Sequence, residues 1–94
     1  MKTTINVTNK NILEGEKANP QNCAIARALK NQLRQDIKSV SVLPSHVAIS
    51  LKNNKELFAE MPKEGAEFIK RFDRGLPTNR LKLKLNFKKE FFLI

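Results

Sequence analysis

Apolar and polar positions alternate or recur with clear periods along this chain, and the periods change several times. Residues 2–8 alternate, with Ile5 and Val7 on one side, and predict a first strand. Thr8 can then cap a short helical turn through Glu14. Ile12 and Leu13 would pack inward, and Gly15 would supply a left-handed stop. After a polar loop, Asn19-Pro20 has the form of a helix start, Asn at the cap and Pro in the first turn. The spacing predicts a helix from there to Arg34 or Gln35. Ile25, Ala26, Leu29 and Leu33 fall on one side, and Arg27, Lys30 and Arg34 on the other.

The period then falls to two. Residues 37–43 are rich in β-branched side chains, and Val47, Ile49 and Leu51 alternate with smaller ones, with Pro44-Ser45 as the turn. Asn53-Asn54 marks a second turn, leading to a short strand over residues 57–59 that pairs back on residues 47–51. Pro62 opens a second helix to about Asp73, with Phe68, Ile69 and Phe72 on its buried side. Gly75 ends that helix and Pro77 prevents its return. Leu81, Leu83, Leu85 and Phe87 alternate with Arg80, Lys82, Lys84, Asn86 and Lys88, which predicts one final strand with an apolar and a basic face. This order predicts a single α+β domain over residues 1–94. It is a two-layer sandwich with an antiparallel or mixed sheet of about five strands and two main helices on one face.

Charge adds a partner to this outline. The chain carries 18 Lys and Arg against 9 Asp and Glu, a net charge of +9. Residues 1–62 hold 9 basic and 5 acidic residues and residues 63–94 hold 9 and 4, so the body is positive and not merely a tail. A partner rich in phosphate or carboxylate would relieve the resulting self-repulsion. Three places could receive it. The helix expected at Asn19 would offer unpaired N–H groups, with Asn19 and Asn22 beside them. Its outer stripe holds Arg27, Lys30 and Arg34. The final strand sets Arg80, Lys82 and Lys84 about 7 Å apart, close to the spacing of neighbouring phosphates. Solvated faces that protect a sheet edge are the alternative for both stripes.

Catalytic chemistry is poorly represented. His46 is the only histidine and falls beside a turn; Cys23 is the only cysteine and falls on an apolar-sided helix, where packing is its expected role. One cysteine excludes an internal disulfide and fits a reducing cytoplasm. No His or Cys cluster suggests a metal, and Gly15, Gly65 and Gly75 form no nucleotide fingerprint, so no cofactor is expected. No apolar run approaches the ~20 residues of a membrane span, and the opening residues do not resemble a signal peptide. The chain closes on Phe91, Phe92, Leu93 and Ile94, read as an oligomer contact; a membrane-touching tail is the weaker option.

Three phrases occur in a telling order: Thr8, Ile12 and Gly15; Cys23-Ala24-Ile25-Ala26-Arg27-Ala28; and Phe68-Ile69-Lys70-Arg71-Phe72-Asp73-Arg74-Gly75-Leu76-Pro77. Together they resemble a widespread family of small bacteriophage proteins with T-x-x-x-I-x-x-G, C-P-I-A-x-A and F-I-x-x-F-D-x-G-x-P phrases. Ala24 stands where that family often has Pro, and the basic strand and apolar end are longer here. The family is similar to phage sponge proteins, which evade host defence by binding cyclic nucleotide signals such as cyclic dinucleotides without cleaving them. The resemblance implies a homo-oligomeric, non-enzymatic protein of the host bacterial cytoplasm. It transfers no ligand contact, because Ile69, Phe72 and Gly75 read as core and cap. The competing expectation is a basic nucleic-acid-binding protein, a phage regulator or an inhibitor of a host nucleoprotein complex. An enzyme using Cys23 is a third.

Overall fold

A computed structural model of the chain describes residues 2–33 and 36–90, with Lys89 and Glu90 as backbone alone. Strand β1 (Lys2–Val7) buries Ile5 and Val7 and exposes Lys2, Thr4 and Asn6. Helix α1 (Asn9–Glu14) follows at once because Thr8 and Asn11 cap it reciprocally. Thr8 Oγ1 accepts from the Asn11 N–H (3.2 Å), and Asn11 Oδ1 accepts from the Thr8 N–H (3.0 Å). Gly15 ends α1 without the expected left-handed turn, at φ −68°. Its requirement is space. A β-carbon there would lie 2.6 Å from the Ala24 nitrogen and 2.9 Å from the Asn11 carbonyl oxygen, both backbone atoms.

Helix α2 (Ala24–Gln32) starts four residues later than the Asn19-Pro20 signal suggests. Asn19 Oδ1 accepts from the Gln21 N–H (3.0 Å), and the Pro20 carbonyl accepts from the Val42 N–H (2.9 Å). Those bonds hold the segment as a turn pinned to the neighbouring strand, so Cys23 becomes the N-cap residue. Ala24, Ile25, Ala26, Ala28 and Leu29 are buried on the helix.

Strands β2 (Ile37–Val42), β3 (His46–Leu51) and β4 (Glu56–Glu60) form the expected antiparallel meander. Pro44 and Ser45 make a two-residue turn, and Leu43 and His46 exchange both backbone bonds across it. Asn54 turns the next corner at φ 66°. Helix α3 (Lys63–Asp73) buries Phe68, Ile69 and Phe72. It ends in a paired closure, Gly75 N–H to the Phe72 carbonyl and Leu76 N–H to the Arg71 carbonyl, with Gly75 at φ +72°.

The final basic run departs from the expected single strand. Strand β5 (Leu81–Asn86) pairs with β1, whereas β6 (Lys88–Glu90) pairs with β4. The chain changes sheets at the buried Phe87. The described strands thus form a two-stranded sheet, β1-β5, and a four-stranded sheet, β2-β3-β4-β6, all antiparallel. The α+β class is as expected. One core is shared, with Ile5, Ile25, Leu29, Ile49, Leu83 and Leu85 among its fully buried side chains. No helix of the described residues is long and apolar enough to cross a membrane.

Candidate functional site

The expected cation stripe on α2 is divided by its neighbours. Arg27 turns toward α1, with a guanidinium nitrogen 4.0 Å from a Glu14 carboxylate oxygen and only a third of the side chain exposed. Its Nε is buried without a hydrogen-bond partner. Lys30 points the other way. Its ammonium donates to the Gln21 carbonyl (2.6 Å) and to Asn22 Oδ1 (3.0 Å), which fixes a long side chain over the turn before α2. Arg34 lies outside the described residues.

Around Lys30 opens a cleft of about 450 Å³, lined by Gln21, Asn22, Asp36, Lys38, Ser39 and Lys52 among others. Its floor is an irregularity in the sheet. Ile37 pairs with Leu51 but Ser39 pairs with Ser50, so Lys38 is an extra residue in β2. A regular strand would point Lys38 to the same side as the buried Val40 and Val42. The bulge re-aims it, and Lys38 and Ser39 are both exposed at the cleft. Lys52 is held beside them by its N–H bond to the Asp36 carbonyl (2.9 Å). Three lysines therefore line one cleft with one acidic residue, Asp36. Sequence reasoning named Asn22 and Lys30 and missed Lys38 and Lys52. A signal existed: a lysine at the same parity as the core-facing Val40 and Val42 marks a bulge.

The second basic locus is the β1-β5 ribbon. Register sets Thr4 beside Lys84, Asn6 beside Lys82 and Lys2 beside Asn86. All six are exposed, and none of them is acidic. Arg80 and Lys82 line a cleft of about 500 Å³ with Asn6 and Thr8 at one end of the ribbon. Lys84 instead faces a different cleft at the other end, with Lys88 and Asn86. The three cations expected to act together thus serve two concavities.

Asn19 is occupied locally. It donates to Glu16 (2.9 Å), accepts from Gln21, and lines a smaller cleft of about 220 Å³ with Cys23 and Asp73. Cys23 is buried, and that burial pushes its thiol above the ordinary value, with Asp73 adding to the effect and the Ala26 and Ile25 N–H groups opposing it. Asp73 also accepts from the Ala18 N–H (2.9 Å), which closes the 16–18 loop onto α3. His46 opens β3 and stacks on Phe58. Among the described residues, no three His, Cys, Asp or Glu side chains gather as a metal-holding group. Phe91, Phe92, Leu93 and Ile94, read as an oligomer contact, lie outside the described residues. No known family model, curated protein or solved structure matches the chain.

Proposed function

We propose that this protein captures a phosphate-bearing small ligand of the cyclic-nucleotide class in the Lys30–Lys38–Lys52 cleft and holds it without making or breaking a bond. One observation carries the reading: a β-bulge turns Lys38 out of the core side of its strand to meet Lys30 and Lys52 over a polar turn. Ammonium groups are compact charges that suit phosphate oxygens, and Asn22 and Gln21 supply amide groups for the rest of a ligand. Anchoring Lys30 in advance reduces the ordering lost on binding. The resemblance to phage sponge proteins gives the capture a purpose, removal of a defence signal from the host cytoplasm, with protomers meeting through residues 91–94.

A thermal-shift panel of cyclic dinucleotides, cyclic mononucleotides and short duplexes tests this. A ligand at 100 times its dissociation constant should stabilise by about 2.7 kcal/mol. Ligand recovered after denaturation should be intact; linear or hydrolysed product would overturn the non-catalytic reading.

The acid-free outer face of the ribbon favours a second reading, a track for nucleic-acid phosphates. Affinity for duplex DNA would then fall with salt at a logarithmic slope of about −0.9 per phosphate contacted. Joint reversal of Lys82 and Lys84 to Glu should flatten that slope, while Lys38→Glu should not.

A further inference from the structure

We infer that the cleft at the far end of the four-stranded sheet is a separate nucleotide site, built on Phe58 and selective for guanine. Phe58 lies on the face of β4 that looks away from the core, where it is half-buried and not enclosed. Its ring stacks on His46 with centroids 5.0 Å apart and planes at 25°. The Ser45 hydroxyl lies 2.8 Å from His46 Nδ1 and fixes that imidazole in turn. Phe58, backed by the stacked His46, therefore borders an open cleft of about 330 Å³, also lined by Glu60, Met61, Pro62, Lys84, Asn86 and Lys88. Small-ligand clefts span roughly 300–1,000 Å³.

The surrounding groups divide into those suited to a base and those suited to a phosphate. Register puts Lys88 directly across from Phe58 on β6 and the small Ala48 across from it on β3. Lys84 arrives from β5, so two lysines line the same cleft as the Phe58 ring. Bases stack on such rings through their π-faces, and lysines meet the attached phosphate. Glu60 is two residues beyond Phe58 on the same face, about 7 Å along the strand. Among the described side chains Glu60, Lys84 and Lys88 make no ion pair. A carboxylate only accepts hydrogen bonds, through two oxygens. Guanine presents two adjacent N–H donors on its pairing edge, whereas adenine and uracil present a donor beside an acceptor. Of the common bases, guanine alone matches both oxygens.

The Lys30–Lys38–Lys52 cleft lies at the other end of the same sheet, near residues 37 and 52, so the two sites can be tested apart. NMR titration of the full chain with GMP, AMP, UMP and inorganic phosphate reads this one. GMP should shift the amides of Phe58, Glu60, Asn86 and Lys88 and bind more tightly than AMP or UMP. Phe58→Leu, which keeps an apolar side chain at the position, should weaken GMP about tenfold, the scale of one lost base–aromatic stack. Glu60→Gln should bring GMP affinity down to that of AMP. Lys38→Glu should leave all of these shifts in place, so failure of the lysine cleft and failure of this site are distinguishable. Equal shifts from inorganic phosphate and GMP, equal affinity for GMP and AMP in the wild-type protein, or no shift at Phe58 would each overturn the assignment. An unchanged amide spectrum away from the cleft shows that each variant is folded.

Discussion

Arg27 and Cys23 show how position decides what a reactive residue can do. Arg27 belongs by helical phase to the cation stripe, yet its neighbour in space is Glu14 and its Nε is buried without a partner. A buried donor left unpaired costs about 1–3 kcal/mol. Arg27→Met keeps much of the packing and removes that donor. It should leave the melting temperature equal or higher and leave phosphate-ligand affinity unchanged, as thermal denaturation and calorimetry would show. Cys23 is held as a thiol by burial. As pH rises through about 8.5, the unfolded thiol ionises before the folded one, so the unfolded state binds fewer protons and stability falls. Denaturant melts at pH 7 and pH 10 should show that loss, and Cys23→Ala should reduce it. A native thiol that reacts with a disulfide reagent as fast as the unfolded chain would contradict this account of its burial.

At the scale of elements, hydrophobic period located most elements but not changes of partner. It erred at Leu13, which it predicts to pack inward with Ile12 but which is exposed, while Asn11 is the buried residue of α1. The 46–51 and 56–60 hairpin, α3 with its Gly75 stop, and the Thr8 cap were legible because each rests on local spacing and cap chemistry. Asn19-Pro20 misled because the same two residues serve a helix start or a turn. A hydrogen bond from the distant Val42 selects the turn. The run over residues 80–88 read as one strand because Phe87 stays buried while the strands on either side of it pair with β1 and with β4. Alternation records which face is buried and is silent on the neighbour. For the same reason the candidate site was only half legible, with Lys30 visible as a cation but Lys38 and Lys52 visible as its companions only once β2 and β3 are paired.

Two contacts between elements invite direct tests. Gln32 at the end of α2 accepts from the Asn6 N–H (2.8 Å) and donates to the Asn6 carbonyl (2.6 Å), tying the helix to β1. Gln32→Ala should cost about 1 kcal/mol and raise hydrogen exchange at the Asn6 amide. Gly15 brings α1 against the start of α2, where all three obstructing atoms are backbone and cannot rotate away. Gly15→Ala should therefore destabilise by about 3 kcal/mol, the upper part of the usual range for overpacking. Chemical denaturation measures both.

For the molecule as a whole, a charge of +9 opposes folding slightly and favours any ligand that neutralises it. The fold does not spread that charge evenly. It gathers three lysines at a bulge, lines one ribbon face without an acid, and spends Arg27 on an internal contact. Added phosphate or sulfate at low ionic strength should raise the melting temperature more than chloride of equal ionic strength. The gain should shrink when Lys38 and Lys52 are both replaced by Glu. The most direct measurement is calorimetric titration of a cyclic dinucleotide into the wild-type protein and into the Lys38→Glu, Lys52→Glu double variant. Saturable binding that the double variant loses by at least about a hundredfold, two charge-assisted contacts at ~1.5 kcal/mol each, is the predicted result. Equal affinity in the two proteins, or no heat in either, would contradict it.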